Sequence, residues 1–73
     1  MKNYLAIIKG EAIEYSFGGN RSYDVNKNYR FEANDREQAI SLAEGHLRDL
    51  RKNLLGARIF LESLLEIKDI KLL

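Results

Sequence analysis

The chemistry open to this chain is set by which reactive side chains it carries and how they are spaced. His46 is its only histidine, and it has no cysteine. A general base or a tetrahedral metal site needs partners that this inventory does not supply. Ser41, His46 and Asp49 spell a triad on paper, but on one helix they point in different directions. Gly18-Gly19 is followed neither by Gly-Lys-Ser/Thr nor by a helix start, so it reads as a hairpin tip rather than a phosphate cradle. Glu11, Glu14 and Asp24 fall near one expected sheet. Paired carboxylates do acid–base work when they converge and lose water, and solvated surface is the simpler reading here. The sequence therefore predicts no catalytic residue, no metal ligand and no cofactor.

One other pattern could carry function. Tyr15, Phe17, Tyr23, Tyr29 and Phe31 interleave with Arg21, Lys27 and Arg30. Exposed, these would form a stacking platform for single-stranded nucleic acid, with Arg21, Lys27, Tyr29 and Arg30 in contact. Buried, the rings are the floor beneath a helix, which is the expectation preferred here. Arg48, Arg51, Lys52 and Arg58 make a second basic group, for which dipole complementation and solubility suffice.

The element that must position all of this is a helix predicted from Asn34 to Leu54. Ala39, Ile40, Ala43, Leu47, Leu50 and Leu54 fall on one face at helical spacing. Glu37, Ser41, Glu44, Arg48, Arg51 and Lys52 fall on the other. Asn34 is the expected cap, with Glu37 three residues on. Gly56 is the expected stop. Gly45 costs roughly 1 kcal/mol against Ala inside a helix, and close packing on a sheet would explain it. His46 sits at the border of the apolar face.

Strands fill the rest. Tyr4–Ile8 and Glu11–Phe17 read as a hairpin turning at Lys9-Gly10, with Tyr4, Ala6, Ile8, Ile13, Tyr15 and Phe17 on one face, and Leu5 and Ile7 outward with Ala12 and Glu14. The alternative is one long strand with a bulge at Gly10. Gly18 to Ser22 reads as loop, and Tyr23 to Asn26 fits loop or strand. Lys27 to Ala33 alternates cleanly, with Tyr29, Phe31 and Ala33 together. Ala57 to Leu65 reads as a final strand, apolar on both sides: Ile59, Leu61 and Leu65 on one, Phe60 and Leu64 on the other. Residues 67–73 fit strand extension or a helical turn. The expected fold is α+β: a mostly antiparallel sheet of three to four strands, ordered β-β-β-α-β, with one amphipathic helix on one face.

Seventy-three residues make one small domain, 1–73, with a small core and no disulfide to support it. Unstapled scaffolds of this size often oligomerise, so a homodimer is expected. The net charge of +1 argues against a strongly electrostatic partner such as bare duplex DNA. No signal peptide and no membrane span is evident, and the expected location is the cytoplasm.

The segments KNYLAII, IEYSF and ANDREQAISLAEGHL, through Tyr4, Ala6, Ile7, Tyr15, Ser16, Phe17, Asp35, Ala39 and Ala43, resemble the HicB-like antitoxin domain over about Lys2 to Leu54. That family's Asp-Leu-Pro-Gly-Cys-type segment is missing here, as is an appended DNA-binding element. The resemblance implies a protein that neutralises a partner protein by binding it. The residues themselves point the same way: a non-enzymatic interaction module binding a protein through Phe60, Leu64, Ile67, Ile70 and Leu72. A small nucleic-acid binder using Arg21, Lys27, Tyr29 and Arg30 is the alternative.

Overall fold

The structure, a computed structural model, describes residues 1–68. Three strands and one helix follow in the order β1 (Lys2–Ser16), β2 (Gly19–Ala33), α1 (Arg36–Asn53) and β3 (Arg58–Ile67). The strands form one antiparallel sheet in the order β2-β1-β3. The helix carries the chain from one edge of the sheet to the other and packs on one face. This is the α+β arrangement expected, with three strands in the sheet and the order β-β-α-β in place of β-β-β-α-β.

The difference lies at Lys9-Gly10. There is no turn there; β1 runs straight through, and β2 pairs along its whole length, from Lys2 opposite Ala33 to Ser16 opposite Gly19. The hairpin turns instead at Phe17-Gly18, so the expected loop at Gly18 to Ser22 is mostly strand. The inward register of β1 never switches. Tyr4, Ala6, Ile8 and Ala12 are all buried, and Ile13 and Tyr15 lie on the opposite side. Small residues hold the inward positions where other backbone comes close. Gly10 has φ +150, and a Cβ there would overlap the Arg58 carbonyl oxygen and lie 2.6 Å from Ile59 Cα. Only glycine fits against β3 at this point.

A bulge does exist, but on β3. Ile7 pairs with Ser63 and Ile8 with Leu61, leaving Glu62 as the extra residue. Its effect is to reset the alternation. Ile59, Leu61 and Leu64 all face the helix, while Phe60, Leu65 and Ile67 face away. Strict alternation had put Leu65 with Ile59 and Leu64 with Phe60.

The helix starts one residue later than its first capping signal. Asp35, not Asn34, is the cap: its carboxylate accepts the Gln38 backbone N–H at 2.8 Å. The Gln38 side chain reaches back and accepts the Asn34 N–H at 2.6 Å. Glu37 belongs to the acidic first turn, and Arg51 and Lys52 to the basic last turn. Replacing Asp35 with Ala should cost about 1 kcal/mol in chemical denaturation, whereas Asn34→Ala, which keeps its backbone donor, should cost far less.

The core is two clusters between helix and sheet. One holds Tyr4, Ala6, Ala33, Ala39, Ala43 and Leu64; the other holds Ile8, Ala12, Val25, Leu47 and Ile59. Five of these eleven are alanine, so the layers approach closely but little volume is packed. Gly45 does not contribute to that approach, contrary to expectation: nothing lies within 4 Å of where its Cβ would be. Gly45→Ala should therefore raise stability by up to about 1 kcal/mol, read as a higher denaturation midpoint.

The molecule is long and thin, 49 × 29 × 14 Å with a radius of gyration of 14.9 Å. A compact chain of this length has a radius near 11 Å. The long axis matches the reach of the fifteen-residue strands at about 3.3 Å per residue. Beyond Glu11, β3 ends and the other two strands continue as a ribbon. Its base is tied down by the Ile13 N–H, which donates to the Leu55 carbonyl at 2.9 Å. Gly56, at φ +59, turns the chain against the Ile13 side chain.

Candidate functional site

The helix covers one face of the sheet. Among the described residues nothing covers the other face, and the ladder defines it row by row. From β2 through β1 to β3 the rows are Glu32–Asn3–Ile67, Arg30–Leu5–Leu65, Asn28–Ile7–Ser63, Asn26–Lys9–Phe60 and Asp24–Glu11–Arg58. Directly opposed residues share a face, so all of these project together. Leu5, Ile7, Leu65 and Ile67 are thereby neighbours, Leu5 directly across from Leu65 and diagonally across from Ile67. Leu65 is half exposed and Phe60 slightly more, and Leu5, Ile7 and Ile67 are partly exposed.

The patch has a defined border. On the β2 side it meets Arg30, Asn28 and Asn26, all exposed. At its far end Lys9 Nζ and Glu62 Oε2 pair at 3.0 Å. Glu62 reaches Lys9 because the bulge places it there. Next comes the charged row of Asp24, Glu11 and Arg58. At the near end the row closes with Glu32 and Asn3, both exposed. An apolar centre rimmed by polar and charged groups is the usual make-up of a protein contact surface.

The expected interface residues divide accordingly. Phe60 and Ile67 are on this open face. Leu64 is not available: it is 9% exposed and packs beneath the helix with Ala39 and Ala43. The bulge at Glu62 is the reason, because it turns Leu64 inward and Leu65 outward. Ile70 and Leu72 lie outside the described residues. Leu65, which strict alternation had placed with Ile59, completes the patch, along with Leu5 and Ile7, whose outward orientation the pairing of the first strand indicated.

The four residues of the nucleic-acid alternative are not brought together. Arg21, Lys27 and Tyr29 project to the helix side, opposite Glu14, Ile8 and Ala6, whereas Arg30 projects to the open side, opposite Leu5. Tyr29 is already stacked: its ring lies 4.4 Å from that of His46, with planes 7° apart. Phe31 stacks on Tyr4 at 6.1 Å and meets His46 at 6.0 Å. A base could use the Tyr29 face only by displacing His46. The sole histidine is thus the edge of the aromatic floor.

The carboxylates do converge in part. Glu11 and Asp24 are opposed across the ladder on the open face, while Glu14 is opposite Arg21 on the other face. All three are exposed, so the water-poor setting that an acid–base pair needs is missing. Among the described residues no group of three or more His, Cys, Asp or Glu side chains could hold a metal ion. At the foot of the ribbon a shallow cleft of about 470 Å³ is lined by Ile13, Glu14, Tyr15, Tyr23, Asn53, Leu54 and Leu55. Beyond it, Phe17 stands fully exposed at the hairpin turn. No helix among the described residues is long and apolar enough to cross a membrane. No family model, no curated protein and no solved structure matches the chain.

Proposed function

We propose that this chain is a non-enzymatic protein-interaction module whose working surface is the uncovered face of its sheet. The observation that carries this reading is the row of Leu5, Ile7, Leu65 and Ile67 on a face that no part of the described chain covers. Apolar side chains gathered at the centre of a sheet and rimmed by charge lower the free energy of association when covered, at roughly 25 cal/mol per Å² of apolar area. An antitoxin-like or inhibitor-like role is the form suggested by the HicB-like resemblance. It predicts that the bound partner is an enzyme whose activity falls on binding.

The test is retention of a partner by a tagged chain from nuclease-treated extract of cells that also express an untagged copy. A stoichiometric protein, retained by the natural sequence and lost from the Phe60→Asp, Leu65→Lys double variant, is the expected result. Retention that the double variant leaves unchanged would contradict the reading, as would material that disappears on nuclease treatment. Both substitutions are at half-exposed positions, where the fold itself loses about 1 kcal/mol each.

A further inference from the structure

Resting on that reading of the open face, we infer that its occupant is a second copy of this chain, packed sheet to sheet about a two-fold axis. The first ground is area. The chain exposes 5838 Å². A folded monomer of 8.5 kDa exposes about 4,650 Å², so this one shows about 1,200 Å² too much. An elongated outline with a projecting two-strand ribbon and a sheet face left open by the described residues is the shape that shows such a surplus. Each partner in a stable complex contributes about 800 Å².

The second ground is the core. Among the described residues, two layers with five alanines among eleven buried apolar residues pack little volume, with no disulfide in support. Chains of this size commonly complete their core by association. A second sheet about 10 Å away would give Leu5, Ile7, Leu65 and Ile67 the inner layer they lack, as in aligned sandwiches.

The third ground separates this face from the sheet edges. The helix reaches over β3 with two guanidinium groups. Arg36 Nη1 donates to the Leu64 carbonyl at 3.4 Å, and Arg51 Nη2 to the Ile59 carbonyl at 3.0 Å. Carbonyls occupied in this way are poor templates for another strand. The β2 edge carries Arg21, Asp24, Lys27, Arg30 and Glu32, the charged residues that protect natural edges. The apolar face has no such protection. It is also compatible with itself. A two-fold contact sets the same patch against its copy, and a border of one sign would repel. This border carries Lys9 and Arg30 together with Glu62 and Glu32. The Lys9–Glu62 pair lies at the end of the apolar rows, where it can remain in water at the rim.

Sedimentation of the purified chain over a wide concentration range tests this, using the natural sequence, Leu65→Lys, Leu65→Thr and Leu42→Lys. Thr keeps the β preference of the strand, and Leu42 is an exposed helix residue off the face. The natural chain should have twice the 8.5 kDa of one copy. Leu65→Lys should weaken association about 100-fold or more, Leu65→Thr about 10-fold, and Leu42→Lys not at all. A single-chain mass at millimolar concentration would overturn the inference. So would a dimer that both Leu65 variants leave intact. Monomers that still retain a different protein through Leu65 would overturn the second copy as occupant, yet leave the interaction reading standing. Loss of that retention as well would end both.

Discussion

Gly10→Ala should strip this protein of a large part of its stability. Two costs add at one position. The backbone sits at φ +150, where a side chain is strained by about 1–3 kcal/mol. The new methyl would also overlap the Arg58 carbonyl and stand 2.6 Å from Ile59 Cα. Those atoms are main chain in a paired strand, so they cannot rotate aside. Relief requires β3 to move away from β1, which breaks the ladder where Ile59 enters the core. A loss of at least about 3 kcal/mol is expected, against a total stability of roughly 4–11 kcal/mol for this length. Circular dichroism at 37 °C and a denaturant titration at fixed protein concentration check it. A cooperative transition within 1 kcal/mol of the natural sequence would show that β1 and β3 do not approach closely at Gly10.

Tyr4→Ala should cost about 3–5 kcal/mol by the same titration. Tyr4 is 1% exposed and is one of the two largest fully buried side chains, the other being Ile8. Its neighbours make the hole hard to close. Ala6, Ala33, Ala39 and Ala43 have no length to spare, and Leu64 is already packed against them. The stacked ring of Phe31 would lose its partner as well. Tyr4→Phe keeps the ring and should change stability by less than about 1 kcal/mol.

These two positions also show what could be read from the chain alone. The helix was legible because charge and apolarity separate cleanly at 3.6-residue spacing, and the aromatic floor because Tyr29, Phe31 and Ala33 alternate into it. The class of fold followed from both. The long first strand was misread for a physical reason. Gly10 looks like punctuation, yet here it serves close approach, and the large residues Ile13, Tyr15 and Phe17 face away while Ala12 is buried. Size is a poor guide to burial where two backbones nearly touch.

The open face was legible only in part. Phe60 and Ile67 were found from apolarity, and the pairing of the first strand put Leu5 and Ile7 outward. The exchange of Leu64 for Leu65 was hidden, because a single extra residue at Glu62 inverts every side chain after it and leaves no mark in the hydrophobic pattern. Asp35 displaced Asn34 as the cap for a related reason: both types cap well, and Gln38 decides between them by reaching back. The aromatic and basic residues offered for nucleic acid were a true feature of the sequence. They were separated by the pleat, which sends Arg30 to one side and Tyr29 to the other.

The central claim is that a second copy of the chain covers the open side of the sheet. The most direct measurement is the broadening of methyl resonances by a soluble paramagnetic agent, applied to the purified chain at high concentration. Leu5, Ile7, Leu65 and Ile67 should be shielded to the level of buried Ile8, while Leu42 and Leu55 broaden freely. Equal broadening of Leu65 and Leu55, which are almost equally exposed in the single chain, would contradict the account.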